Sequence, residues 1–303
     1  MRILVVGGSG LIGVHVREAL QERGHAVTGV ARTARAGVDH LLDVKTASVE
    51  EMRQLLAGHD GVVFATRAEE QRPLRKPIYP VFRRDIVDSV ARLFTAARRE
   101  GLTRGVIVGS YYTYFDRLHP QWRLAERHTY VRCRVEQAHE GRAAAGPELP
   151  IAVLELPFVV GRADNRLPNW AAPIDRWAKS RAPLFAPRGG TAVTSARHVA
   201  EVAVDALERA SSENIPVADE NLTWNEMIAR IATAVGRPRR VRTLPSAAVR
   251  ASLRLGGRLQ TLTGKATGVD PTYFADVLLT DLFVDPATGH SLAAAFQDSF
   301  AHA

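Results

Sequence analysis

Short apolar runs alternate with amphipathic stretches through the first half of the chain. The runs are rich in β-branched residues, as in strands that are buried on both faces, and they fall at residues 2–6, 25–30, 38–42, 61–65, 105–110 and 151–156. Between them, apolar residues recur every three or four positions, which is the spacing of one helix face. This spacing predicts a first helix that ends at Gly24, followed by helices at 46–57, 81–100 and 125–145.

Such alternation of strands and helices is typical of a doubly wound α/β fold, in which right-handed crossovers build a parallel sheet. Beyond Pro157 the alternation loosens, and the predicted helices lie at 169–181, 196–210, 223–236, 246–263, 272–280 and 292–300. We therefore predict a Rossmann core at residues 1–160. A smaller, mainly helical substrate lobe is predicted at 161–303, with some segments returning to the core.

A glycine-rich turn connects the first predicted strand to the first helix. The residues of this turn are Gly7, Gly8, Ser9, Gly10, Leu11, Ile12 and Gly13. Gly7 permits the tight turn, Gly10 lets the backbone approach a pyrophosphate, and Gly13 lets the helix pack closely on the strand. Because the helix N-terminus also offers N–H groups and a partial positive charge, the turn predicts a dinucleotide-binding site.

The end of the second strand distinguishes between the two nicotinamide cofactors. An acidic residue about 20 positions beyond the glycine turn binds the ribose 2′-hydroxyl of NAD, whereas an arginine suits the 2′-phosphate of NADP. This chain has Arg32 at that place, with Arg35 nearby and no carboxylate before Asp39. Because a guanidinium forms two charge-assisted bonds to a phosphate, the sequence favours NADP(H) over NAD(H).

The composition narrows the range of partners. The net charge of +8 comes mostly from arginines, and the densest basic stretches, 72–76 and 237–242, lack the interleaved aromatic residues of nucleic-acid motifs. We interpret them as a solvated basic surface and predict neither a nucleic-acid nor a membrane partner, because no run approaches the ~20 apolar residues of a membrane span. Cys133 is the single cysteine, which excludes an intrachain disulfide and favours a cytoplasmic location. No metal-ligand spacing occurs among the histidines.

Several motifs, taken in order, resemble those of the extended short-chain dehydrogenase/reductases, also called the NAD-dependent epimerase/dehydratase family. They are the glycine turn 7–13, Asp43, the run 105–110, Tyr130 on a helix with Glu136, and the stretches 157–161, 222–226 and 283–286. The resemblance implies that NAD(P) lies across the C-terminal edge of the sheet, with substrate between the sheet and the C-terminal lobe. It also implies that Asp43 contacts the adenine, Ala65 lies beside the adenosine ribose, and Pro157 borders the nicotinamide.

The resemblance also assigns a catalytic set, from which this chain departs. Tyr130 occupies the position of the tyrosine that exchanges a proton with the substrate oxygen. The family's lysine, one helical turn later, is replaced by Arg134. The serine position falls at Tyr111, although Ser110 or Thr113 could supply the hydroxyl. The asparagine of the water relay is replaced by Asp85.

Together these features predict an NADP-dependent oxidoreductase that transfers a hydride between the cofactor and a small carbonyl or alcohol substrate. Two alternatives stay open. One is a nucleotide-sugar epimerase or dehydratase, for which the arginine at position 32 is unusual. The other is a cofactor-binding sensor or scaffold, suggested by the missing lysine, serine and asparagine. The resemblance further implies a homodimer through helices 81–100 and 125–145.

Overall fold

The computed structural model describes residues 1–66, 70–164 and 166–301. The chain forms two compact units. The first comprises Met1–Leu156, Val199–Pro216 and Thr267–Val269, and the second comprises Pro157–His198, Val217–Ala266 and Asp270–Ala303.

Strands and helices are numbered along the chain. The strands are β1 (Arg2–Val6), β2 (Ala26–Ala31), β3 (His40–Leu41), β4 (Gly61–Phe64), β5 (Leu74–Arg75), β6 (Arg104–Val108), β7 (Ile151–Glu155), β8 (Phe158–Val160), β9 (Leu184–Ala186), β10 (Gly190–Ser195), β11 (Asn214–Pro216), β12 (Glu220–Thr223), β13 (Val241–Thr243), β14 (Lys265–Ala266) and β15 (Asp281–Leu282). The α-helices are α1 (Leu11–Glu22), α2 (Val49–Leu56), α3 (Tyr79–Phe82), α4 (Ser89–Arg99), α5 (Tyr112–Leu118), α6 (Leu124–Arg127), α7 (Thr129–Ala145), α8 (Ala171–Lys179), α9 (Ala196–Glu208), α10 (Trp224–Ala234), α11 (Ser246–Leu262), α12 (Pro271–Leu278) and α13 (Ala293–Phe300).

A seven-stranded sheet forms the centre of the first unit, in the order β11-β7-β6-β4-β1-β2-β3. All of its neighbouring strands run parallel, which confirms the predicted doubly wound Rossmann fold. Each of the six predicted strands is present, although β3 is only two residues long. The seventh strand, β11, was not predicted because a three-residue strand shows no periodicity.

Helices of the first unit bury their apolar sides in one core cluster with the sheet, where Phe64, Phe94 and Ile107 are fully buried. The helix predicted at 46–57 is α2, which begins after a capping box formed by Ser48 and Glu51. The capping signal and the buried apolar residues Met52 and Leu56 both favour a helix here.

Three stretches of the first unit differ in detail from the prediction. The helix predicted at 81–100 consists of α3, a π-helical turn at Arg83–Asp88, and α4. The helix predicted at 125–145 breaks at His128, whose backbone is extended, so α7 starts at Thr129. The aromatic stretch 111–115, for which the sequence predicts no helix, forms the start of α5, because Tyr111 and Phe115 lie four residues apart and are both buried.

The second unit contains strands as well as the predicted helices. β12, β10 and β15 form a sheet in that order, β8 also pairs with β10, and β13 pairs with β9. These strands are absent from the prediction; apart from the six-residue β10, they span only two to four residues each, which is too short to show a pattern. Among the described residues, no helix has both the length and the apolar character needed to cross a bilayer.

Asp219 is the buried polar centre of the second unit. Its carboxylate accepts hydrogen bonds from the Ser195 N–H at 2.8 Å and from the hydroxyls of Thr194 at 3.0 Å and Thr288 at 2.9 Å. His198 Nδ1 lies 2.7 Å and His290 Nδ1 3.6 Å from the Asp219 carboxylate. Two histidines and a carboxylate are metal-binding groups, but the two carboxylate oxygens already accept these bonds. The cluster is therefore a hydrogen-bonded network that holds the 288–290 segment.

The D219N substitution should remove much of the stability that this network supplies. Burial by itself would raise the pKa of Asp219, but the hydrogen bonds from His198 and Ser195 lower it to about 2. Because this pKa lies below the unfolded value of about 3.9, the ionised form stabilises the fold by about 2.5 kcal/mol at pH 7. This stability is present above pH 4 and is lost as the pH falls through 2.

Urea unfolding at pH 7 and at pH 2.5 measures the effect. We expect D219N to be less stable than the parent at pH 7, with a much smaller difference at pH 2.5. Asp281, which is exposed in the same unit, provides the matched control through D281N. Equal effects of the two substitutions at pH 7 would contradict the role assigned to Asp219.

Candidate cofactor and catalytic site

The glycine turn has the conformation that a dinucleotide phosphate requires. The N–H groups of Gly7 and Gly8 donate to Val30 O at 2.8 and 3.0 Å, which fastens the turn to β2. Gly10 N donates to Gly7 O at 2.8 Å, and Gly10 is the N-cap of α1. The first-turn N–H groups of α1, from Leu11 onward, have no acceptor within the helix and form an anion-binding terminus.

The absence of a side chain at Gly7 and at Gly13 is a steric requirement. Gly7 has φ +88°, and a Cβ there would lie 2.6 Å from Ala65 O. A Cβ on Gly13 would lie 2.2 Å from Gly7 O. Ser9 is the one residue with a polar side chain among the seven. The cradle thus fits a pyrophosphate held by backbone groups.

Basic side chains converge at the end of β2. Arg32 and Arg35 are both exposed and directly follow this strand. Arg17 reaches the same corner from α1, because its guanidinium lies 3.5 Å from Gly8 O and beside Gly29 and Gly37. The Arg17 Nε is buried and has no hydrogen-bond partner among the described residues, so this corner holds a donor of the kind that an anion would bind.

The other predicted cofactor residues lie at strand ends. Asp43 follows β3, and its side chain accepts a hydrogen bond from Lys45 N at 3.1 Å. Ala65 follows β4, and its N–H donates to Val6 O at 2.8 Å beside the glycine turn. Pro157 is the first residue of the second unit.

Tyr130 and Arg134 form a buried pair on α7. Arg134 Nε donates to Tyr130 Oη at 3.1 Å, and each residue is only 7% exposed. The Arg134 guanidinium also donates to Val108 O at 3.1 Å and to Gln137 Oε1 at 2.7 Å. Because three acceptors fix the guanidinium, Arg134 holds a positive charge and a donor at the phenolic oxygen.

A second tyrosine borders this pair. The ring of Tyr112 meets that of Tyr130 edge-on at 6.3 Å between centroids, and Tyr111 packs against Tyr112 at 4.9 Å. Burial, with Tyr111 and Tyr130 close by, raises the pKa of Tyr112 well above its usual value, so this phenol stays neutral. Tyr112 is therefore a neutral phenol whose ring borders that of Tyr130, and the sequence analysis did not select it.

The alternative hydroxyls have other partners. Thr113 Oγ1 lies 2.7 Å from Ser110 O and 2.5 Å from Glu155 Oε1, and Glu155 is itself paired with Arg117. Ser110 is 4% exposed, and its hydroxyl oxygen lies 3.5 Å from Tyr112 N. The structure thus brings Ser110 and Tyr111 to the start of α5, while Thr113 belongs to the Glu155 network.

Asp85 lies in the π-helical turn and forms ion pairs. Its carboxylate is 3.0 Å from Lys45 Nζ and 2.8 Å from Arg84. Burial would raise the pKa of Asp85, but the bonds from Lys45 and Arg84 lower it overall. No contact between Asp85 and Tyr130 is found among the described residues.

Known proteins resemble this chain in sequence or in fold. Residues 7–144 match the family model described as NAD(P)H-binding. This part of the chain is therefore similar to NAD(P)H-binding domains. The match includes the glycine turn, the basic corner and the Tyr130–Arg134 pair. No curated protein matches the sequence significantly.

Solved structures share the fold over nearly the whole chain. A human epimerase family protein crystallised with NADPH has 19% sequence identity and a TM-score of 0.69, with 100% of each chain covered. A nucleoside-diphosphate-sugar epimerase from Pseudomonas aeruginosa has 19% identity and a TM-score of 0.69, covering 99% of this chain and 96% of that one. UDP-glucose 4-epimerase from Thermotoga maritima has 14% identity, a TM-score of 0.69, and coverages of 99% and 97%. At 14–19% identity, these likenesses show that the chain shares the fold of these proteins.

Proposed function

We propose that this protein is an NADP-dependent oxidoreductase that acts on a small carbonyl or alcohol substrate. The proposal depends chiefly on one contact, the bond from Arg134 Nε to Tyr130 Oη inside an NAD(P)H-binding domain. A buried phenol with a fixed cation at its oxygen is suited to exchange a proton with a substrate oxygen. The nicotinamide, when bound, supplies or accepts the hydride.

In the reducing direction, residues of this chain transfer the proton to the substrate. Tyr130 donates its proton to the oxygen of the substrate carbonyl as that oxygen gains negative charge. The resulting phenolate keeps the Arg134 hydrogen bond and lies beside its positive charge, which stabilises it. Because a guanidinium does not release a proton, Tyr130 must regain one from solvent.

Three arginines support NADP as the cofactor. Arg17, Arg32 and Arg35 bring positive charge to the end of β2, and the described residues 25–38 contain no carboxylate. Asp39, the first acidic residue after the strand, accepts a hydrogen bond from the Gly29 N–H at 2.6 Å. Its carboxylate therefore connects the segment after β2 to the strand. The glycine cradle positions a pyrophosphate, the sequence predicts Asp43 and Ala65 at the adenosine, and it predicts Pro157 at the nicotinamide.

The R32D substitution should reverse this preference. We expect the dissociation constant of NADPH to rise by about 100-fold, because the change removes a phosphate partner and adds a repulsive charge. That of NADH should change by less than threefold. Fluorescence titration with both cofactors measures this, with R99D at the exposed end of α4 as the matched control. Equal losses for the two cofactors would reject the assignment of Arg32.

Turnover assays test the reaction class. Purified protein should oxidise NADPH in the presence of members of a panel of ketones and aldehydes. The solved epimerases of the same fold favour a second candidate, a nucleotide-sugar epimerase. Oxidised cofactor that stays bound through purification, with no net turnover, would support that candidate. A homodimer through the helices at 81–100 and 125–145 and a cytoplasmic location stay predictions.

A further inference from the structure

An unusual concentration of positive charge lies in the second unit. Residues 227–266 contain nine arginines and lysines and not one aspartate or glutamate. Because the whole chain has a net charge of +8, the rest of it carries a net charge of −1. The basic character of the protein therefore belongs to this one segment and does not come from an even distribution of arginines.

The longest helix of that segment, α11, exposes an apolar ridge. Leu255, Leu259 and Leu262 are 58, 55 and 82% exposed, although they are large hydrophobic side chains. Together with the exposed Ala248 and Ala251, they fall within an arc of about 80°, at 100° per residue. The helix packs on the protein through another face, where Val249 and Gly257 are buried. The ridge is consequently an apolar surface without a partner among the described residues.

Basic side chains border this apolar ridge along one side. Arg254 and Arg258 are exposed, and Lys265 follows the helix. Arg250 is paired with Asp276. Within the part of the chain that the structure describes, no carboxylate pairs with Arg254 or Arg258. A helix that exposes leucines beside a row of cations has the form of an interfacial amphipathic helix.

From this arrangement we infer that α11 docks the protein onto an anionic lipid surface. The leucines would enter the boundary between headgroups and acyl chains, and the bordering cations would contact the lipid phosphates. This inference departs from the sequence-based prediction of no membrane partner, which considered only membrane spans. It concerns the surface of the second unit and is independent of the proposed reaction.

Two other occupants fit the surface less well. In a symmetric dimer, the same patch of each protomer meets its copy, so Arg254 and Arg258 would approach their equivalents without any acid to offset them. A nucleic acid would satisfy the arginines, but it would leave the leucine ridge without an apolar partner, and α11 has no aromatic side chain for stacking on bases.

Vesicle sedimentation tests the inference with the full chain. We expect binding to vesicles of phosphatidylcholine with 30% phosphatidylglycerol, much weaker binding to phosphatidylcholine alone, and loss of binding in 0.5 M NaCl. The double variant L255Q/L259Q should reduce binding by at least tenfold. R254Q/R258Q should reduce it by about 30-fold, at about fivefold for each arginine.

Matched controls separate the ridge from general surface effects. L41Q/L118Q replaces two leucines of the first unit that are 62 and 54% exposed, and R98Q/R99Q removes two exposed arginines of α4. Both control variants should bind vesicles as the parent does. Equal losses in the control and α11 variants, or no binding by the parent, would overturn the inference.

A label on the ridge reports its position directly. Cys133 is buried, and burial raises the pKa of its thiol to about 12, so a new surface cysteine reacts selectively. An environment-sensitive dye on L262C should shift its emission to the blue on anionic vesicles, whereas the same dye on L41C should not. A chain that is dimeric until L255Q/L259Q dissociates it, or that binds a DNA duplex as tightly as vesicles, would overturn the lipid inference.

Discussion

Replacement of the Tyr130 phenol by a phenyl ring should reduce the turnover number for carbonyl reduction by about 10³-fold, which is within the usual range for a lost general acid. Y130F keeps the ring beside Tyr112, as well as its contact with the Arg134 guanidinium at 5.2 Å. It removes only the oxygen that donates the proton and that accepts from Arg134 Nε. Single-turnover oxidation of NADPH with an active ketone or aldehyde measures the effect.

Binding of NADPH provides the internal control for this prediction. Because the glycine turn and the basic corner remain intact, the dissociation constant of NADPH should change by less than threefold in Y130F. Y114F, which alters a tyrosine packed against Phe115 on α5, should keep full activity. If Y130F retains more than a tenth of the parent's turnover, Tyr130 is not the proton donor and a sensor or scaffold role regains support.

The sequence could predict the parts of this molecule that local signals determine. The six sheet strands and the glycine turn follow from apolar runs and glycine spacing within a few residues. The Tyr130–Arg134 contact also follows, because residues four apart share a helix face. The site assignments that rest on the family resemblance alone, at Asp43, Ala65 and Pro157, stay predictions.

Other features depend on residues that are distant in the chain. The Asp219 network joins residues from 194 to 290, and no spacing in the sequence indicates it. Tyr112 was missed because the sequence predicts no helix for this stretch, whereas α5 brings the Tyr112 ring edge-on to that of Tyr130. Arg17 did leave a signal, since it stands beside the buried Val16 on a helix that packs against the sheet. An arginine at such a position predicts a specific anion or carbonyl partner.

The largest effect on cofactor affinity is expected from a single methyl group. In G13A the new Cβ would lie 2.2 Å from Gly7 O and 2.8 Å from the Gly7 carbonyl carbon. Both are backbone atoms of the turn that binds the pyrophosphate, so the turn and α1 must move apart. We expect the NADPH dissociation constant to rise by at least 100-fold, and the free energy of unfolding to fall by roughly 1–3 kcal/mol.

A second glycine in a helix separates this steric effect from helix propensity. G256A in α11 places a Cβ where no atom lies within 4 Å, so it should leave NADPH binding unchanged and stabilise the helix by up to about 1 kcal/mol. NADPH titration and urea unfolding of both variants measure the difference. Tight NADPH binding by G13A would show that the pyrophosphate does not depend on this turn. The site around Tyr130 would then lose the feature that brings a nicotinamide cofactor to the first unit.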